Sequence, residues 1–238
     1  MNINYKIMKK AIGWSSSSWG YPLKKIIERN KLKDYRKVLE LGAGKYSAIS
    51  MIFLNKDTQI NMTTYEKSNI VHLRRFVRKN FDNKDLINNI NFSSMSALSI
   101  EGKYDIIILK SVLGGIFRTN SKNSGNADIL LKKIAKNHLN KNGFVISLDN
   151  GRTIFENLFK KFGARKNSWR FFIASDFPGA FDQITFGFLS NFSLSTRLGR
   201  IGHYFDHIIY LIDRLIFCIF KIKKPSIIIS IYRAKEKN

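Results

Sequence analysis

Residues 38–44 read Val-Leu-Glu-Leu-Gly-Ala-Gly, an apolar run that stops in two glycines separated by one residue. A parallel strand buried on both faces reads as a continuous apolar run, whereas a half-exposed strand alternates. Glycine at its end allows the sharp turn that brings backbone against a ligand at the strand's carboxyl edge. Glu66 lies 22 positions beyond Gly44. At that separation an acidic side chain falls at the tip of the second strand and can accept both hydroxyls of a ribose. The stretch therefore predicts the first strand of a nucleoside-binding α/β sheet.

The residues around the turn narrow the nucleoside. A dinucleotide site wants glycine or alanine three positions after the second glycine, so that the helix packs tightly with its free N–H groups toward a pyrophosphate. This chain has Ser47 there. Glu40 puts a carboxylate beside the turn, which would repel a pyrophosphate and suits a cationic amino-acid group. It has a second reading, as an acid near a helix N-terminus interacting with the dipole. Glu40-Leu41-Gly42-Ala43-Gly44 resembles motif I, E/D-x-G-x-G, of the class I S-adenosylmethionine-dependent methyltransferases. The resemblance implies S-adenosylmethionine as cofactor, with Glu40, Gly42 and Gly44 near its methionine part and Glu66 on its ribose.

Outward from this motif, strands are predicted at 37–41, 59–65, 89–93, 104–109, 144–148, 184–189 and 226–232. Helices are predicted at 47–54, at 69–80 with Val71, Phe76 and Val77 inward, and at 127–139, closed by Asn142-Gly143, with a polar loop at 119–125. Such alternation predicts a parallel sheet with crossover helices. The expected fold is α/β: a Rossmann-like, seven-stranded, mostly parallel sheet with an antiparallel last strand, helices on both faces, and a helical insertion at about 192–224 between the last two strands. One domain covers 1–238: a helical segment at 1–35, a cofactor half at 36–150 and an acceptor half at 151–238.

Further stretches extend the resemblance. Residues 104–111, Tyr-Asp-Ile-Ile-Ile-Leu-Lys-Ser, are similar to the family's strand four, whose end lines the reaction pocket. Residues 139–143 resemble its L-x-P-G-G turn, with Lys141 and Asn142 replacing proline and the first glycine. After strand three the family often has an acid for the adenine amino group, and this chain has Ser94-Met95-Ser96, so Met95 is expected to offer a backbone N–H and an apolar face. The stretch from Lys110 to Ile116, taken with Ser168-Trp169-Arg170, looks like a subgroup found among enzymes of bacterial surface polysaccharide synthesis. It implies a sugar or glycolipid hydroxyl as acceptor, with Lys110 on the cofactor side and Ser111, Trp169 and Arg170 toward the acceptor.

Transfer to a hydroxyl is helped by a base. The candidates are Asp149 at the end of strand five and His203 on the insertion, with His207 beside it; each also has a structural reading, as cap or core group. The four histidines are at 72, 138, 203 and 207, and only the last two share helical spacing, so no metal is expected. A single cysteine, Cys218, excludes an internal disulfide and is expected as a core thiol.

Lys+Arg 41 against Asp+Glu 17 leaves a net charge of +24. Such a balance favours anionic partners, while the abundance of lysine, asparagine and isoleucine also fits an AT-rich genome. The N-terminus has no apolar stretch of signal-peptide length. A cytoplasmic protein is expected, with peripheral contact between its tail and an anionic inner membrane face kept open. The insertion reads as a lid over the active site, a membrane-dipping segment, or a helix completing the core. Two other functions remain alongside sugar or glycolipid methylation. One is RNA methylation, through the basic helix bearing Arg74, Arg75, Arg78 and Lys79; the other is an inactive cofactor-binding partner protein.

Overall fold

The computed structural model describes residues 5–12, 15–32, 35–43, 47–81, 87–118, 126–153, 169–190, 195–220 and 224–234. Gly44, the loop at 119–125, Ser168 and the basic residues at 221–223 lie outside them. Seven strands are β1 (Lys37–Leu41), β2 (Gln59–Thr64), β3 (Ile90–Ser94), β4 (Tyr104–Lys110), β5 (Leu139–Asn150), β6 (Asp182–Phe186) and β7 (Ile227–Arg233). They form one sheet in the order β3-β2-β1-β4-β5-β7-β6, and β7 alone runs antiparallel to its neighbours. The helices are α1 (Tyr5–Ile12), α2 (Ser16–Arg29), α3 (Asn69–Asn80), α4 (Leu113–Ile116), α5 (Ala127–His138) and α6 (Ser195–Ile219). The expected architecture holds, including the insertion between β6 and β7.

Because a strand's side chains alternate, each apolar run feeds both faces of the sheet. Val38, Ile106, Ile108, Ile146 and Ile229 pack with α1, α2 and α3 on one face. Leu39, Ile107, Leu109, Val145 and Ile228 pack with α5 on the other. At the lower edge Asp105 joins three segments. Its carboxylate accepts the backbone N–H groups of Arg36 and Lys37 and the side-chain amide of Asn140.

Four local expectations are corrected. The helix expected at 47–54 is a single 3₁₀ turn, Ile49–Phe53, because the chain must return to β2 within a few residues. Val71 is 61% exposed, and Leu73 with Val77 forms the buried face of α3. Helix α5 ends at His138 and β5 begins at once, so Asn142-Gly143 lies within a strand irregularity. Asn142 has φ +65°, the left-handed conformation that asparagine tolerates where the resembling motif has glycine. Cys218 is exposed.

Helix α6 is fixed to the sheet edge. Asp213, fully buried, accepts the N–H groups of Phe188 and Leu189 at 2.8 and 2.7 Å and the hydroxyl of Ser190. Tyr210 and Phe217 join Tyr21 of α2 and Phe186 of β6 in an aromatic cluster. The inward face of the insertion thus completes the core. Removing the carboxylate leaves buried donors without an acceptor, so Asp213→Ala should lose about 3 kcal/mol of stability. Circular dichroism melts should show a fall of roughly 6 to 12 °C; a fall of under about 2 °C would mean that apolar contacts alone hold α6.

Candidate functional site

In an open, mostly parallel sheet the ligand crevice forms at the carboxyl edge where the strand order reverses. Here that point lies between β1 and β4, since the chain proceeds from β1 to β2 and β3 on one side and then crosses to β4 on the other. Two left-handed turns meet there. Gly42, after β1, has φ +68°, and a Cβ on it would stand 2.5 Å from Val112. Ser111, after β4, has φ +55°; its N–H donates to the Leu148 carbonyl, and its hydroxyl accepts from the Asn150 amide. Glycine at 42 therefore answers both a backbone angle and a side-chain collision.

Glu40 lies near the end of β1, two residues before the Gly42 turn. Its carboxylate is buried and accepts the N–H groups of Ile49 and Ser50 at 2.9 and 2.8 Å and the Ser50 hydroxyl at 2.6 Å. It caps the 3₁₀ turn, which is the helix-terminus reading. Burial pushes its pKa up, against the Ser50 and Ile49 donors and the Lys110 charge, which favour the ionised form. Lys110 leaves the end of β4 on the same face. Its ammonium is 3.3 Å from the carbonyl oxygen of Ile12 and stands over the Trp19 ring. Burial lowers its pKa from 10.5 to about 7, with Glu40 opposing the shift. The terminal carbonyls of α1 attract such a cation, and Ala11 accepts the N–H of Ala48, so the N-terminal helices close over β1 and β4.

At the tip of β2, Glu66 is exposed, and one carboxylate oxygen accepts from the Asn69 amide. Met95 follows β3, but its N–H donates to Thr64 O at 3.0 Å. The expected N–H toward an adenine is therefore already engaged by the sheet, leaving the half-buried side chain. Trp169 and Arg170 stand beside the β4 end. The indole lies against Gly114 and Gly115, where a Cβ on either would be within 3 Å of the ring, and Arg170 donates its N–H to Gly114 O. The Arg170 guanidinium is 3.9 Å from Asp176 and stands over the Phe172 ring.

Asp149 is 2% exposed, takes the hydroxyl of Ser147, and has its pKa raised by burial from 3.8 to about 7. His203 is half-buried on α6, one turn before His207, whose ring contacts Ser17 and Tyr210. The described packing of α6 is against α2, β6 and the turn after β6. Among the described residues no three His, Cys, Asp or Glu side chains converge as a metal site.

Asn150, Trp19 and Val112 were not singled out from the sequence. Asn150 alone had a signal, its place beside Asp149 at the end of β5. Among the described residues the buried Asn150 Oδ1 and Ser47 Oγ have no hydrogen-bond partner. Buried polar atoms are normally paired, and Asn150 stands at the end of β5 beside Ser111.

No family model and no curated protein sequence matches the chain. Solved structures do match in fold. Coclaurine N-methyltransferase, bound to N-methylheliamine and SAH, superposes with a TM-score of 0.57 at 14% identity, covering 98% of this chain and 81% of its own. The chain has the class I methyltransferase fold. A Galdieria sulphuraria protein assigned as a sarcosine dimethylglycine methyltransferase gives 0.54 at 13% identity, over 92% and 86% of the two chains.

Asp149 and Lys110 make opposite contributions to pH dependence. Between about pH 4 and 7 the fold retains the Asp149 proton that the unfolded chain has released; this stabilisation is complete below pH 4 and lost as pH rises to 7. The Lys110 contribution is complete above pH 10.5 and lost as pH falls to 7. Stability relative to variants lacking the groups should therefore be lowest near pH 7, with limbs of up to about 1.4 kcal/mol per pH unit. In denaturant titrations from pH 4 to 10, Asp149→Asn should flatten the acid limb and Lys110→Met the alkaline one. Parallel curves for all three proteins would mean that both groups titrate normally.

Proposed function

We propose that this protein is an S-adenosylmethionine-dependent methyltransferase acting on a hydroxyl of a sugar or glycolipid. The observation that carries the reading is the pair of left-handed turns at Gly42 and Ser111 at the switch point, with the exposed Glu66 carboxylate at the tip of the next strand. The unpartnered Asn150 Oδ1, beside Ser111, fits a polar ligand at the ends of β4 and β5. Glu66 would accept the ribose hydroxyls, the Gly42 turn would pass the methionine part, and the Met95 side chain would cover the adenine. When bound, the cofactor supplies an electrophilic methyl group.

The remaining chemistry belongs to the chain. Displacement at a methyl carbon needs the acceptor oxygen held in line, and positioning alone can remove on the order of 7 to 11 kcal/mol of barrier. Trp169 offers an apolar ring, and Arg170 and Ser111 offer donors, for a sugar bound over α4. Asp149, with a pKa of about 7, is poised to take the acceptor's proton as the new bond forms. Its burial requires the acceptor to reach the end of β5. His203 is left without a part in this reading.

A second reading, RNA as acceptor, is supported by the exposed Arg74, Arg75, Arg78 and Lys79, which with Val71 line a shallow depression on α3. A tight, saturable complex with one structured RNA at physiological salt would favour it, whereas weak binding that collapses between about 50 and 200 mM salt is background charge.

Calorimetry tests the cofactor. Glu66→Ala should weaken S-adenosylmethionine by at least about tenfold, or 1.4 kcal/mol, with an unchanged melting curve, because the side chain is exposed. Gly42→Val should abolish binding. Equal affinity in Glu66→Ala and wild type would remove the ribose assignment, and no binding by the wild type would remove the proposal. Cofactor binding without turnover of any hydroxyl acceptor would favour an inactive partner protein.

A further inference from the structure

Helix α6 wears its polarity inside out. Its two carboxylates are the buried groups, Asp206 at 4% and Asp213 at 0% exposure, whereas Ile201, Tyr204, Ile208, Leu211, Leu215 and Ile219 are between 49% and 75% exposed. These six recur every three or four residues, so they form one stripe roughly 27 Å long. With its flanking neighbours the stripe offers on the order of 1,000 Å² of apolar surface, where a soluble monomer's largest patch is a few hundred. The aromatic cluster of Tyr21, Phe186, Tyr210 and Phe217 already satisfies the inward face. Core formation therefore gives no reason for the outward one.

We propose that α6 is an in-plane membrane anchor, its stripe sunk to the acyl boundary of an anionic lipid surface. Charge selects that occupant over a second copy of the chain. Two molecules of net charge +24 repel each other, and the same charge is drawn to anionic headgroups. Because both acids of α6 are buried, its exposed face presents no carboxylate to oppose the approach. In sequence, Arg197 and Arg200 precede the stripe and three lysines at 221, 223 and 224 follow it, the flanking that favours anionic headgroups. Tyr204, 75% exposed, has the amphipathic ring that suits headgroup depth. Among the described residues no helix is long and apolar enough to cross a membrane, so α6 would lie on the bilayer rather than span it. The docking does not depend on the methyl-transfer reading, and its test needs neither cofactor nor acceptor.

The full chain is sedimented with vesicles of phosphatidylcholine containing about 30% phosphatidylglycerol. Ile208→Glu/Leu215→Glu/Ile219→Glu should lower binding by at least about tenfold. A charge-matched control, Gln59→Glu/Asn88→Glu/Asn137→Glu, at exposed positions elsewhere, should change it by less than about threefold. Circular dichroism verifies that each variant is folded. Independently, Leu215→Trp should be quenched by lipids brominated on the acyl chain. Absence of wild-type binding, equal losses in the two triple variants, or an unquenched Trp at 215 would overturn the proposal. So would a wild-type dimer in sedimentation equilibrium that the α6 variant dissociates, because the stripe would then belong to a second copy.

Discussion

A carboxylate buried at the end of β1 organises the edge of the sheet where the site lies. Glu40 holds the amides of Ile49 and Ser50, and so sets the path of the chain that leaves the Gly42 turn. Without a buried acceptor those first N–H groups of the 3₁₀ turn would stay unsatisfied in a dry interior. Burial pushes the Glu40 pKa up, while the Ser50 and Ile49 donors, and after them the Lys110 charge on the same face of the sheet, favour the ionised form. Lys110 is held by the end of α1 and by Trp19 of α2. One interaction thus links the glycine turn, strand four and the N-terminal helices.

The same logic of complementary shape operates on the other side of the crevice. Gly114 and Gly115 leave a flat patch of backbone on α4 that only an indole-sized plate fills, and Trp169 fills it. That contact brings the segment at 169–172 alongside the end of β5, where Phe172 and Gly151 pair as a short parallel bridge. Arg170 is carried with it and turned toward Asp176. This wall of the crevice, the proposed acceptor side, is therefore assembled by one aromatic contact between segments more than fifty residues apart. The proposed cofactor side, by contrast, is assembled by consecutive strand ends.

Helix α6 shows how one element can serve two environments. Its inward face carries Asp213 for the turn after β6 and aromatic rings for α2, and its outward face carries aliphatic groups with no partner among the described residues. In a helix, groups three and four apart share a face. An apolar segment with two acids seven apart can therefore hide its charges and expose its hydrocarbon.

By itself the sequence determined the sheet and its strand limits to within a few residues. These depend on local patterns: an apolar run for a strand buried on both faces, glycine for a left-handed turn, and a fixed separation to the next strand tip. The contact of Trp169 with the two glycines of α4 was not legible, because it joins segments far apart in the chain. Only the tertiary structure decided which way the polar side chains point. Glu40 holds the amides of the 3₁₀ turn, the Met95 amide is taken by Thr64, and Lys110 answers to α1, because each choice depends on donors and acceptors outside the local pattern. The inverted face of α6 was hidden for the same reason: the apolar pattern reads equally well in either direction, and Asp213 finds its amides only when β6 and α2 are in place.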